Sequence, residues 1–407
     1  MPSFIPGEGG FKPTIPPGVP YGAQLLTLGE NRFLLLADIV SGKSASVSNY
    51  SYPVCERKVW FVSKEGEKEL PIGPIGYSLH QPFEIRYSPP YLSYVVRKGH
   101  KNSQKVLTSQ FFLYDLSTDK EKYLGEFKGT YSARILPYHV AFPSLPQSYI
   151  IEHLISLASS DSSRIKHRLN FYIGVEEKGK GILFRKFDSM EGKRGEVLER
   201  PCVWETRVGV FLSVLLVRPT DEPLFLYKKE GEKVWHSISL GEIGFFDYKI
   251  SPEGQYVAFL LEEDNARVLK LFSLATQANV FITTVEGEKI RNMFIGFPEG
   301  ERQFLLPSSI RWDEEEKHII AFARETILEG KPQILWFFNI DKGGTKKIEL
   351  PFQRIWDVLI RGENQLILVA GNPLKDTPDW GIYEFYMGKK GEGIAKPIKV
   401  FKVKETR

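Results

Sequence analysis

The sequence predicts an all-β protein built from repeats of one four-strand unit, and three observations carry that prediction. One is a strand, tight turn, strand pattern at residues 246–262. Another is the return of this pattern along the chain, and the third is the lack of a convincing long helix. In 246–262, Phe246, Tyr248 and Ile250 alternate with polar residues, as in a strand buried on one face. Ser251-Pro252-Glu253-Gly254 is turn chemistry, with Pro presetting one φ and Gly free to take a positive one. Tyr256 to Leu261 is a continuous apolar run, as expected of a strand covered on both faces.

The pattern recurs at 24–39, with a turn at Gly29-Glu30-Asn31, and at 83–97, with a turn at Ser88-Pro89-Pro90. It recurs at 138–156 around Pro143-Ser144 and, with a weaker signal, at 203–218 around Gly209. After 246–262 it returns at 308–325, turning at Asp313-Glu314-Glu315, and at 355–370, turning at Arg361-Gly362-Glu363-Asn364. The seven copies follow one another at roughly 40 to 65 residues, the range of propeller blades with insertions. Third and fourth strands follow most copies. Phe111 to Leu116 and Tyr123 to Phe127 serve the second copy, Leu269 to Leu274 and Val280 to Thr283 the fifth, and Ile334 to Ile340 and Lys347 to Leu350 the sixth. Leu224 to Tyr227 and Ile382 to Tyr386 are the third strands of the fourth and seventh.

A four-stranded sheet leaves a face that only a neighbouring unit can bury, so such units close into a ring. The expected fold is a seven-bladed β-propeller of four-stranded antiparallel blades over residues 23–407, with a six-bladed ring as the alternative. Tyr149 to Ser160 is the best helix candidate, but its apolar residues fit a strand nearly as well. Residues 1–22, dense in Pro and Gly, read as an extended N-terminal tail, pinned by Phe4, Phe11 and Ile15 if at all.

Ile250-Ser251-Pro252-Glu253-Gly254-Gln255-Tyr256-Val257-Ala258-Phe259 resembles the Ser-Pro-Asp-Gly repeat of TolB-type, WD-repeat-like propellers, and the propeller domains of prolyl-oligopeptidase-type peptidases carry similar repeats. Tyr87 to Tyr94 and Arg311 to Phe322 resemble it in part. The Trp-Asp dipeptide that closes the third strand of a standard WD repeat is absent there; Trp312-Asp313 and Trp356-Asp357 fall in or before inner turns. The resemblance implies the fold. Such propellers serve as protein-binding platforms, as filters for a peptidase domain and occasionally as enzymes.

A net charge of +4 over 407 residues, spread along the chain, gives no reason to expect nucleic acid as a partner. No apolar run reaches the roughly 20 residues that span a bilayer. The N-terminus lacks a signal-peptide pattern, so a cytoplasmic location is expected if Met1 is the natural start, and a periplasmic or extracellular one if a signal was trimmed. Common Lys and Glu with scarce Met and Cys fit a thermophilic source. Cys55 and Cys202 lie in no CxxC pair, which argues against structural zinc, and two free thiols are the expected state.

Several motifs bear on chemistry. Residues 37–44 match a relaxed phosphate-loop pattern, but Ala45 to Pro53, which should be a helix, is rich in Ser and Tyr and ends in Pro. His80, His100, His139, His153, His167, His236 and His318 show no metal-ligand spacing, so structural or solvated roles are expected and neither metal nor cofactor is assigned. No Gly-x-Ser-x-Gly elbow is present. The carboxylates at 262–264 and 313–316, and the basic pairs Lys178/Lys180 and Lys346/Lys347, read as solvated turns.

The expected functional surface is set by topology. In a propeller, segments entering the first strands share a face with the links between second and third strands. Those segments carry His80, Tyr131, Arg134, Trp204, Phe245 and Trp356, a set of aromatics with Arg suited to interface anchors, although Trp204 and Trp356 fit packing between blades equally well. Long links at 98–109 and 371–380 open on the same face. The expected function is a non-enzymatic scaffold for a protein or peptide partner. The alternatives are an enzyme or a carbohydrate or small-ligand binder at the ring axis, or an accessory propeller gating a hydrolase on another chain.

Overall fold

In a computed structural model the described residues are 16–403, apart from 30, 48–49, 73–84, 89, 101–102, 131–138, 145–146, 158–164, 178–179, 219–220, 242–243, 264–265, 286–309, 323–332, 374, 376–377 and 389–391. Among them, strands β1 to β28 form seven four-stranded antiparallel sheets, each made of four strands consecutive in sequence. The first holds β1 (Pro20–Thr27), β2 (Phe33–Val47), β3 (Tyr50–Ser63) and β4 (Gly66–Glu69). The second holds β5 (Ile85–Ser88), β6 (Tyr91–His100), β7 (Ser103–Asp115) and β8 (Lys120–Thr130). The third holds β9 (His139–Ser144), β10 (Gln147–Leu157), β11 (Ile165–Glu177) and β12 (Gly181–Glu191). The fourth holds β13 (Val197–Thr206), β14 (Gly209–Val217), β15 (Leu224–Lys229) and β16 (His236–Ser239). The fifth holds β17 (Gly244–Ile250), β18 (Tyr256–Glu263), β19 (Ala266–Ser273) and β20 (Ala278–Val285). The sixth holds β21 (Ile310–Trp312), β22 (His318–Phe322), β23 (Gln333–Asn339) and β24 (Gly344–Leu350). The last holds β25 (Arg354–Ile360), β26 (Gln365–Asn372), β27 (Asp379–Met387) and β28 (Gly393–Lys402).

First strands pack against first strands. β5 lies against β9, β9 against β13, β17 against β21, β21 against β25, and β25 against β1. They therefore line the centre, and the sheets radiate from it as blades. An apolar core fills each gap between neighbours. Leu36 and Leu92 share one, Phe111 and Ile182 the next, then Phe171 and Leu212, and Phe225 and Tyr248. Leu271 and Trp336 share the following core, then Phe337 and Val358, and finally Leu25 and Trp380, which joins the last blade to the first. Burying each large side chain contributes about 1.5–3 kcal/mol. The alternation in β17 shows why: Tyr248 and Ile250 enter the core shared with the fourth blade, and Asp247 and Lys249 take the other face.

Among the described residues the ring closes without exchanging a strand between its ends. Polar bonds pin the seam instead. Leu25 N donates to Asp357 Oδ2 at 2.8 Å, Trp356 Nε1 to the Pro20 carbonyl at 3.0 Å, and Trp380 Nε1 to the Gly18 carbonyl at 3.1 Å.

Several expectations change in detail. Residues 16–22, read as part of a tail, belong to the ring: Val19 is fully buried and Gly18 N donates to the Val40 carbonyl at 2.8 Å. Phe4, Phe11 and Ile15 lie outside the described residues. The helix candidate at 149–160 is strand β10 through Leu157, because its backbone pairs with β9 on one side and β11 on the other. The link expected at 98–109 is mostly ladder, with Lys98 opposite Thr108, since pairing satisfies its amides and carbonyls better than an open loop. Gly371 and Asn372 belong to β26, and Asp379 and Trp380 to β27, so the link expected at 371–380 shrinks to 373–378. Residues 37–44 lie within β2 and pair with β3, so no helix follows them.

Candidate functional site

The first strands carry charged side chains toward the centre by a repeated local device. In β25 the ladder slips between Ile355 and Asp357, and in β17 between Phe245 and Asp247. Such a bulge bends the strand and re-aims the side chains beyond it. In both strands the Asp accepts a hydrogen bond from the next amide: Tyr248 N to Asp247 Oδ1 at 2.9 Å, Val358 N to Asp357 Oδ1 at 2.8 Å. Asp357 does more. Its Oδ1 also accepts Arg311 Nε at 2.8 Å and Nη2 at 2.6 Å, while Oδ2 takes Leu25 N. One carboxylate thus ties together the first strands of the sixth, seventh and first blades.

Lys249 follows Asp247 on the same face of β17. Burial lowers its pKa to about 8; the Arg311 charge adds to this, and Asp357, Asp247 and Cys202 oppose it. Those influences come from β13, β21 and β25 as well as from β17, so the amine faces a convergence of first strands. Among the described residues Lys249 makes no ion pair. At the opening of β25, burial brings the pKa of Arg354 down to about 10, with Tyr21 opposing. Its Nη2 donates to the Tyr21 carbonyl at 2.9 Å, and its guanidinium carbon lies 5.9 Å from the Tyr21 ring centroid and 5.6 Å from that of Trp356.

The residues expected on the binding face are only partly there. Trp204 is buried in the core between the fourth and fifth blades, its Nε1 donating to Ser213 Oγ at 2.7 Å. Ser213 Oγ lies 3.0 Å from the Tyr248 hydroxyl, which donates to the Arg200 carbonyl at 2.6 Å. Trp356 is 2% exposed and sits in the seam between last and first blades. Neither indole is free to enter a partner's surface. Phe245 lies in β17, at the bulge. His80, Tyr131 and Arg134 lie outside the described residues.

The acidic run 313–316 divides in two. Glu314 and Glu315 are exposed, as expected of a solvated turn. Asp313 and Glu316 are buried. Asp313 Oδ2 accepts His318 Nδ1 at 2.6 Å, and His318 Nε2 lies 3.1 Å from Asn339 Nδ2, so both ring nitrogens are engaged in the blade. Glu316 accepts Glu253 N from the neighbouring blade. Cys55 and Cys202 are free thiols. Among the described residues no group of three or more His, Cys, Asp or Glu side chains is placed to hold a metal ion, and no helix is long and apolar enough to cross a membrane.

Sequence reasoning missed Asp357, Arg311, Lys249 and Arg354. A signal was available: Asp357 interrupts the apolar run Ile355 to Ile360. A charge in a strand that is otherwise core demands a partner.

No family model matches the chain, and no curated protein matches it. Among solved structures it is similar to a candidate 6-phosphogluconolactonase of Bacteroides fragilis, at 13% identity and a TM-score of 0.49, over 93% of this chain and 97% of that one. It is similar to the β-propeller domain of the Trilobed protease from Pyrococcus furiosus, at 11% identity and a TM-score of 0.41, over 93% and 98%. TolB from Acinetobacter baumannii matches at 11% identity and a TM-score of 0.34, over 76% and 68%. The chain is a β-propeller of four-stranded antiparallel blades, similar to TolB and to the propeller of a protease.

Proposed function

We propose that the chain is a non-enzymatic scaffold, a seven-bladed propeller that binds a protein or peptide partner through one face. The observation that supports this most is the state of Asp357. All its described partners are protein groups holding three blades together, which spends a buried carboxylate on rigidity. Rigid blades hold their loops in place, so little entropy is lost when a partner docks. The face in question is the one onto which the second-to-third-strand hairpins open. Those of the first three blades are long, with paired backbone out to Val47 and Tyr50, His100 and Ser103, and Leu157 and Ile165. They would form a raised rim. His80, Tyr131, Arg134 and Phe245 remain proposed contacts of that face.

The test compares two charge-reversed baits in a pull-down from the source organism's lysate and envelope fraction. One carries Lys43→Glu, Arg194→Glu and Lys375→Glu, exposed positions on the hairpin face. The other carries Lys317→Glu and Lys342→Glu, exposed positions on the opposite face. A partner lost by the first bait and kept by the second is the expected result. A partner kept by both, or lost only by the second, would overturn the assigned face.

A second reading, a small ligand at the ring axis, is favoured by Lys249, whose amine makes no ion pair among the described residues. Thermal stabilisation by a sugar, nucleotide or metal ion, absent in Lys249→Met, would support it.

A further inference from the structure

Among the described residues Arg354 is a cation without an anion. It is half-buried at the start of β25, on the hairpin face, where the last blade meets the first. Of the five N–H donors of a guanidinium, one reaches the Tyr21 carbonyl. No carboxylate among the described residues pairs with it. Asp38, in the adjoining β2, is already held by Arg57 at 2.7 and 2.9 Å, and Asp357 by Arg311. The guanidinium lies over the rings of Tyr21 and Trp356, the contact that aromatic faces offer Arg. A charge taken from water in this way is costly unless an anion joins it.

We propose that Arg354, lying over Tyr21 and Trp356, is a carboxylate-binding site, and that it takes a Glu or Asp side chain of an acidic peptide segment. The planar fork of Arg matches a carboxylate with two parallel hydrogen bonds. A single cation that presents a planar fork suits a monoanionic carboxylate. The inference rests on the partner-binding reading and names the partner's chemistry. It also moves the anchor of that face from the buried Trp356 indole to the guanidinium beside it.

The test uses the whole protein and two capped tetrapeptides, acetyl-Gly-Glu-Glu-Gly-amide and acetyl-Gly-Gln-Gln-Gly-amide, with sodium acetate as a third probe. Arginines are modified with phenylglyoxal and the rate at Arg354 is followed by mass spectrometry. This needs no substitution. Thermal stability and tryptophan emission are read in parallel. The Glu peptide should slow modification of Arg354 and raise the melting temperature, and the Gln peptide should do neither. Arg354→Gln should abolish the thermal shift, and Arg354→Lys should weaken binding about tenfold, since Lys keeps the charge but not the fork. If acetate protects as well as the Glu peptide, the carboxylate site stands and the acidic-peptide assignment is overturned. Protection by no carboxylate overturns the site itself. A pulled-down partner that neither the Glu peptide nor Arg354→Gln displaces would leave the scaffold reading standing and overturn this one.

Discussion

Arg311 and Asp357 form an ion pair between the first strands of two neighbouring blades, with Nη2 to Oδ1 at 2.6 Å and the carboxylate 1% exposed. The same carboxylate accepts an amide from the opposite neighbour. Asp357→Ala removes it and takes from the buried Arg311 the carboxylate that accepts its Nε and Nη2. The expected loss is about 3–5 kcal/mol, read as a lower urea midpoint. Arg311→Met with Asp357→Leu should cost much less than Asp357→Ala alone, because the buried guanidinium is removed together with its carboxylate. Equal losses would mean that the pair does not carry the junction.

Lys249 gives a pH signature. Its folded pKa, about 8, lies below the ordinary 10.5. Between these values the unfolded chain holds a proton that the folded one has released. Stability therefore rises with pH through this window, by up to about 1.4 kcal/mol per unit. Above pH 10 the buried Tyr248, raised well above its ordinary value by burial, works the other way. The clean window is pH 8 to 10. Lys249→Met should be more stable than the parent at pH 7 by about 1–3 kcal/mol, and the gap should close as pH rises. Parallel urea curves at pH 7, 8, 9 and 10 check it; a gap that stays constant would show that the amine is not desolvated.

The legible part of the sequence is local. Ser251-Pro252-Glu253-Gly254 declares a turn, and the Ser251 hydroxyl does accept the amides of Gln255 and Tyr256. The four-strand period arises from such turns and from alternation, both of which act over a few residues. The centre of the ring arises from neither. Arg311 and Asp357 are 46 residues apart, and Trp356 meets Pro20 across 336. Large aromatics suit binding faces, which is why the sequence points Trp204 and Trp356 there, but they suit blade interfaces just as well. Only the distant partner of each indole N–H decides between the two.

The second and third blades touch at their outer strands, an approach set by glycine. Gly181 opens β12 with φ +79°, and a Cβ there would lie 2.3 Å from the Leu124 carbonyl oxygen of β8. Gly181→Ala should therefore cost at least about 2 kcal/mol, backbone strain and clash together. Gly195 has φ +83° but open space around it. Gly195→Ala isolates the strain and should cost only about 1–2 kcal/mol. Similar urea midpoints for the two variants would mean that the blades do not meet there.

The seam between the last and first blades should be where the ring opens first. Elsewhere successive blades are joined by continuous chain; here only side chains and a few polar bonds join them. Trp356 and Trp380 each donate one hydrogen bond across it, to Pro20 and Gly18. Replacing either by Phe keeps most of the ring and removes the donor to that carbonyl, buried at Pro20 and part-buried at Gly18. Each change should cost about 1–3 kcal/mol. The sharper expectation concerns place. Native-state hydrogen exchange should quicken at the Leu25 amide, which crosses the seam to Asp357, before it quickens at Val257 or Leu271 in the fifth blade. In Trp356→Phe with Trp380→Phe that difference should widen. Uniform quickening around the ring would mean that the blades open as one unit and that the seam is as strong as any other junction.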